Sequence, residues 1–513
     1  MRSLTLLPLL LVVLASWAQA AAPAPQKGDR ELDYAEQLFR RGGEPTAREA
    51  AQICSRKNTV EAVEVLLEVF NTDGVGPAGL WSAHYRDIVW EELPNITNPY
   101  ARARVELELK KGKRAWVRAW CAQALGIYGE QDWAPTLIKS LRDKDAEVRA
   151  AAALALGKLD LSATGPATLK AEKALIKVSH GKTPMERANA WITLATLMPE
   201  KWVPQFLGAI EGRAKDEDGG ARCAMLGALP AIAPEEVEST SALALGDEDW
   251  RVRLQAVDHL GVARSKTAVD RLIGATGDGR PTVALRAVGY LQALTGQKYR
   301  QTGGWASWWQ QNRETFVFPE GDALEAPTTG GDETVAVYNG IQVTSDHVAF
   351  LIDKSQEMEQ QLKSAGSIKD LFAHKQLAEV LAKLSEEVVF NVYTYQLEVE
   401  VFNKKGPVPL TEKNLKKALE FTEKQNVGNA KDIWQVLEMV ISDPEIDTIY
   451  LLSSGEPDTG KYVHWNRVTE HLIDLNRFHK VTVHTIAYTD NGWYREQLEK
   501  IAEAGNGEFT AFD

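Results

Sequence analysis

Cysteine is almost missing from this 513-residue chain: Cys54, Cys121 and Cys223 are all there are. An odd number cannot pair off within one chain, and no Cys-x-x-Cys or Cys/His spacing suits zinc. The three sit in apolar, helix-like surroundings such as Ala119-Trp120-Cys121-Ala122, where a free cysteine acts as a small buried hydrophobe. Stability must therefore come from packing rather than from disulfides. Positive charge is also short. Lysine and arginine number 58 against 71 aspartates and glutamates, a net charge of −13. A nucleic-acid binder would show a basic face, so nucleic acid is not an expected partner. Long apolar runs are scarce. Residues 6–14 form one, too short to span a bilayer, and no later run is long enough to be a transmembrane segment. Catalytic signatures are absent too: there is no Gly-x-Ser-x-Gly, phosphate-binding loop, His-Glu-x-x-His or Gly-x-Gly-x-x-Gly. His464 and His471 lie seven apart on an expected helix but have no third ligand at metal spacing.

What is present starts with a targeting segment. Arg2 supplies a positive n-region, residues 6–14 an apolar h-region, and Ala18-Gln19-Ala20 a small-residue cleavage site. The expectation is a signal peptide over residues 1–20, with cleavage near Ala20 and export to a periplasm or beyond the cell. The remaining composition, 44% hydrophobic and 25% charged overall, is that of globular protein, and the length calls for two or three domains. Residues 21–44 read as an N-terminal extension.

Residues 45–312 read as helix after helix. Ala115-Trp116-Val117-Arg118 is followed by Ala122, Ala124, Leu125 and Gly126, and Glu147-Val148-Arg149-Ala150 by Ala153, Ala155, Leu156 and Gly157. Similar units carry Arg187, Arg222, Arg253 and Arg286. The successive arginines lie 31, 38, 35, 31 and 33 residues apart. A helical unit recurring with a period in the thirties is the signature of a solenoid. Alanines let helices approach closely, and the glycine after Ala-Leu is expected to end the helix. Residues 71–112 look irregular. Three tryptophans at Trp305, Trp308 and Trp309 are expected to cap the open end of the array. Asp145-Ala146-Glu147-Val148-Arg149 and Asp249-Trp250-Arg251-Val252-Arg253 resemble the opening of the second helix in HEAT repeats. The resemblance implies that each arginine ties its repeat to the next through a neighbouring aspartate. Residues 313–334 turn rich in Pro, Gly, Thr and acids and read as a linker.

From residue 335 to 513 apolar strands alternate with helical patterns, as at Val348-Ala349-Phe350-Leu351-Ile352 and Thr448-Ile449-Tyr450-Leu451-Leu452. This alternation predicts a doubly wound, mostly parallel α/β sheet, with any ligand site beyond the carboxyl ends of the strands. Phe350-Leu351-Ile352-Asp353-Lys354-Ser355 and Tyr450-Leu451-Leu452-Ser453-Ser454-Gly455 are similar to von Willebrand factor type A (VWA) domains. That resemblance implies a metal-ion-dependent adhesion site. Its first loop, Asp-x-Ser-x-Ser, is matched by Asp353 and Ser355, but Glu357 replaces the last serine. Lys431 stands where the second loop offers threonine, and Ser454 where the third offers aspartate. Magnesium requires six oxygens, whereas a lysine ammonium donates and has no lone pair. The expectation is that Lys431 sits near Asp353 and Glu357 and neutralises them in place of the metal. The rival keeps a Mg or Mn ion, with Glu357 as direct ligand and Lys431 turned outward.

Together these features predict an all-α HEAT-like solenoid followed by a VWA-like domain, acting as a non-enzymatic scaffold. Protein partners would dock on both domains without metal. The alternatives are a divalent-metal-dependent adhesion protein and an enzyme with an unrecognised site.

Overall fold

The computed structural model describes residues 29–41, 43–71, 83–319 and 336–513. The expected signal peptide and most of the expected linker lie outside the described residues. Within the segment read as an N-terminal extension, Arg30–Arg41 is a helix that buries Leu32, Ala35 and Phe39 against Glu44–Lys57. The stretch expected to be irregular holds two further helices, Ala83–Glu92 and Pro99–Lys111. In Pro99–Lys111 only Ala101, Val105 and Leu109 are buried, while Ala103 and Leu107 stay exposed, so the apolar positions read from sequence alternate without a helical period.

In the array proper, three second helices start alike. Asp145, Asp218 and Asp249 each accept a backbone N–H of the first turn of Ala146–Leu156, Gly219–Ile232 and Trp250–Val262. Such capping satisfies donors that a helix start leaves open. Two residues earlier stands another aspartate, and it receives the arginine of the preceding repeat. Nε and Nη2 of Arg118 reach Asp143 at 2.9 and 2.8 Å, those of Arg187 reach Asp216 at 2.7 and 2.8 Å, and those of Arg222 reach Asp247 at 2.8 and 2.6 Å. Arg253 holds Asp278 in the same way, at 2.7 and 2.9 Å. Nη1 of each arginine donates to the carbonyl six residues back, for example Arg222 to Asp216 at 2.6 Å. These guanidiniums therefore staple repeat to repeat.

Two arginines of the sequence series behave differently. Arg149 pairs with Glu186, and Arg286 reaches back to Asp258 at 3.1 Å instead of forward. In that last repeat Ala284 occupies the stapling position and Arg280 the capping one. Gly126 does not end its helix, which runs Ala115–Tyr128 and stops at Gly129 in the left-handed region, φ 78°. A Cβ on Gly126 would lie 2.9 Å from Ala155 Cα, so the glycine serves close helix approach. Successive second helices pack closely while successive first helices scarcely touch, so the array curls with the second helices inside. Trp305 and Trp309 are buried over the last pair, Trp309 donating to Asp270 at 2.6 Å, and so form the expected cap.

The C-terminal domain is a seven-stranded sheet. Its strands are β1 (His347–Asp353), β2 (Val389–Tyr395), β3 (Val399–Val401), β4 (Val408–Pro409), β5 (Thr448–Ser453), β6 (Thr482–Tyr488) and β7 (Asn506–Phe512). The order is β7-β6-β5-β1-β2-β3, with β4 also on β2; only β3 and β4 run antiparallel. β1 and β5 are continuous apolar runs because helices cover both faces. Val348, Phe350 and Ile352 pack with helix Lys369–Leu381, while Ala349 and Leu351 share a core with Ile433–Ile441 and Trp465–His479. That second core is continuous with the core of the array, reaching Trp120 and Leu125.

Helix Trp465–His479 and the loop before it lie against the second-helix layer. Asp87 accepts the backbone N–H groups of Val463 and His464, both at 2.9 Å. Tyr462 lies between Trp120 of the array and Trp434 of the sheet domain, its ring stacked on His471 with centroids 3.7 Å apart. The Arg467 guanidinium sits 4.7 Å from the Trp90 ring centre. At the far end, Arg280 donates to Asp447 at 2.6 Å and Lys480 to Asp258 at 2.8 Å. Both repeat residues such as Trp120 and residues that break the pattern, such as Arg280, make the contacts between the domains.

Candidate functional site

β1 is central, and the chain leaves it for β2 on one side before returning to β5 on the other. This is the switch point where a doubly wound sheet opens a crevice at its carboxyl edge. Asp353 ends β1 there, fully buried. Its Oδ1 accepts the Ser355 N–H at 2.7 Å, and its Oδ2 accepts the N–H and hydroxyl of Ser454 at 2.9 and 2.7 Å. The Ser355 and Ser454 hydroxyls are 3.2 Å apart. The second loop is hooked onto the first: Gly428 N–H donates to Lys354 at 2.8 Å, and Asp432 N–H to Gln396 at 2.8 Å. This brings in Lys431, whose side chain is 1% exposed. Its Nζ lies 3.2 Å from Ser454 Oγ, 3.4 Å from Asp353 Oδ2 and 3.6 Å from Glu357 Oε2. All five residues singled out from the sequence, Asp353, Ser355, Glu357, Lys431 and Ser454, therefore meet in one place.

Glycine at position 455 is part of that geometry, since a Cβ there would come within 3.2 Å of Lys431 Nζ. Burial pushes the Glu357 carboxyl up, but Lys431 beside it prevails and holds it below the usual range. Lys369, buried and donating to Gln360 at 3.2 Å, has its ammonium pushed down by burial and by Lys431. A cavity of about 380 Å³ opens above these groups, with Glu357, Lys369, Glu456, Asp458, Asp490 and Tyr494 in its walls.

Asp458 is the residue that motif spacing failed to place. Its Oδ1 accepts the Lys431 N–H at 2.7 Å and its own N–H donates to Lys431 O at 3.2 Å, which clamps the lysine backbone. Burial pushes its carboxyl up. Two residues on, Gly460 has φ 110°, and a Cβ there would lie 2.3 Å from the Asp432 carboxylate. The loop then enters the interface at Tyr462, so one short segment touches both the Lys431 pocket and the helical array. His464 and His471, weighed in the sequence as a ligand pair, are instead packed in that interface.

The described residues hold one other carboxylate–histidine cluster, Asp346, His347 and Asp447, at the opposite edge of the sheet. Asp447 is already satisfied by Arg280, Ser345 and Thr448, so this cluster is a fold contact.

Two sequence comparisons agree with this order of domains. A family model described as HEAT repeats matches residues 105–177. The human von Willebrand factor A domain-containing protein 3B is 25% identical over 171 residues, which cover 33% of this chain and 12% of that protein's length. Among solved structures, a von Willebrand factor type A protein from Catenulispora acidiphila is similar at 15% identity, covering 32% of this chain and 38% of its own, with a TM-score of 0.27. Human deoxyhypusine hydroxylase is similar at 17% identity over 50% of this chain and 96% of its own, with a TM-score of 0.24. No described helix is long and apolar enough to cross a membrane.

Proposed function

We propose that this chain, a HEAT-repeat array joined to a VWA-like domain, is an exported, non-enzymatic scaffold that docks protein partners without a metal ion. Both modules are typical protein-binding architectures, which is a fold-level warrant. Export rests on the leader-like residues 1–20, and the non-enzymatic part on the lack of catalytic motifs in the sequence.

The observation that carries the metal-free part is the position of Lys431 Nζ. A magnesium ion here would need the Asp353 oxygen and the serine hydroxyls at about 2.0–2.1 Å. The ammonium sits 3.4 Å from Asp353 Oδ2 and 3.2 Å from Ser454 Oγ. It supplies donors where a cation needs lone pairs, so these residues do not fit a divalent ion. A metal-dependent reading requires this buried lysine to leave and Glu357, 47% exposed, to turn inward. Partner docking then falls on the carboxyl edge of the sheet and on array surfaces that helix Trp465–His479 leaves uncovered.

Calorimetry with MgCl₂ and MnCl₂ tests this. No binding heat is expected from the intact chain; micromolar binding that disappears in Asp353→Ala would overturn the proposal. The double variant Lys431→Thr with Ser454→Asp restores a hydroxyl and a carboxylate and is expected to gain cation binding. A well-folded double variant that stays inert would undercut this account of the substitutions.

A further inference from the structure

A dication at the carboxyl edge of such a sheet would present positive charge to an incoming partner. Here the sign is reversed. Within the pocket Lys431 is engaged by Asp353, Ser454 and Glu357, and it brings one positive charge where the ion would bring two. The cavity walls carry four carboxylates, Glu357, Glu456, Asp458 and Asp490, against one ammonium, Lys369. Lys363 pairs with Asp490 at 3.1 Å and both side chains are largely exposed, so solvent screens the pair and the inner field is that of Glu357, Glu456 and Asp458. The groups are close enough to act as one field. Burial raises Asp458 against the opposing pull of Lys431, with Glu357 and Asp353 adding to the rise, and Lys369 feels Asp353, Glu357 and Asp490. The wall residue Tyr494 adds an aromatic ring, and aromatic faces attract cations.

Resting on the docking role proposed above, we infer that the pocket between β1, β5 and the Gly492–Ala504 helix receives a lysine or arginine side chain of a protein partner. The cation would lie among Glu357, Glu456 and Asp458, with its aliphatic stem along Tyr494. Charge complementarity selects this occupant: an acidic partner residue would meet more carboxylates than ammonium groups in the walls, and the ammonium of Lys431 is already shared by Asp353 and Glu357.

The test uses the full-length chain and a random heptapeptide library bearing one benzophenone photo-crosslinker, selected in EDTA. Recovered peptides are synthesised, measured by fluorescence anisotropy, and their crosslinks mapped by mass spectrometry. The expected result is peptides enriched in lysine or arginine that crosslink to residues 454–458 or 489–494. Glu357→Gln with Asp458→Asn should weaken them at least tenfold; both positions are accessible, and asparagine keeps an Oδ1 acceptor for the Lys431 N–H, so the fold is retained. Peptides that crosslink there but are acidic, or that need MnCl₂, would overturn the inference and leave the docking role standing. Peptides that bind only elsewhere, or no peptides at all, would remove the docking role and the inference together.

Discussion

The two domains each bury a carboxylate against a cation, and they do it differently. In the array, Asp247 receives both edge donors of Arg222, while Nη1 of the same arginine is taken by a backbone carbonyl. Both residues are sealed from water, and the fork geometry is satisfied on all sides. In the VWA-like domain Asp353 is equally buried, but its cation is the point charge of Lys431, shared with a half-exposed Glu357 that opens onto a cavity. A saturated pair can only hold structure together. A shared one leaves charge facing solvent, where a partner can use it.

Breaking a staple should give the largest effect. Arg222→Ala leaves Asp247 buried with no guanidinium, and about 3–5 kcal/mol of stability should be lost in chemical denaturation. Arg222→Lys should recover little of it, because an ammonium cannot grip both oxygens. A loss under about 1 kcal/mol would show that the staples are incidental. Next comes the contact between domains. Arg280→Ala removes one charged hydrogen bond to Asp447 and one to the Glu445 carbonyl, so docking should weaken by about 2–3 kcal/mol. Small-angle scattering should then report a larger radius of gyration, and an unchanged radius would mean that the aromatic contacts suffice alone. Lys431→Met sharpens the comparison from the other side. Asp353 keeps two N–H donors and one hydroxyl, so the loss should be only about 1–2 kcal/mol. A loss as large as that of Arg222→Ala would make the two pairs equivalent and remove the contrast.

The smallest effect is that of pH on docking. Burial, with Arg467 and Lys461 adding to it, lowers His471 to about 2. Burial and Arg251 lower His479 to about 4. Both are neutral when docked and nearer 6.5 when released, so the released state binds more protons and docking weakens as pH falls below about 6.5. Each contributes roughly 1 kcal/mol by pH 6. Asp87, raised by burial although two N–H groups oppose this, acts in the reverse sense at lower pH. Tryptophan fluorescence followed from pH 7.5 to 5 should show a reversible change; a flat profile would mean that these histidines stay dry in the released state.

Much of this was legible beforehand where the chain repeats itself. Asp145 and Asp249 marked two second-helix starts, while the stapling aspartates two residues before them became evident only in the structure, and the apolar runs of β1 and β5 located the sheet. Asp353 and Ser454 could be placed at the carboxyl ends of strands, whereas Ser355, Glu357 and Lys431 were joined to them by the resemblance to VWA domains. Gly126 and Arg286 misled, since helix termination and close approach both call for glycine, and an arginine can reach forward or back along a solenoid. Asp458 offered an acid four residues past Ser454 at the wrong spacing for the third loop, and Arg280, Asp87 and Tyr462 carried no local signal. Their partners lie tens to hundreds of residues away, and no periodicity links them.

The sequence by itself determined which segments become helix or strand, because periodicity and capping act within a few residues along the chain. It also set the chemical contest at Asp353, since an ammonium and a dication cannot occupy one set of oxygens. Only the tertiary structure decided that the sheet domain lies against the inner helices and that a single loop runs from the Lys431 pocket to Trp120. Those are contacts between surfaces remote in sequence, and packing shape together with charge pairing fixes them only once both domains have folded.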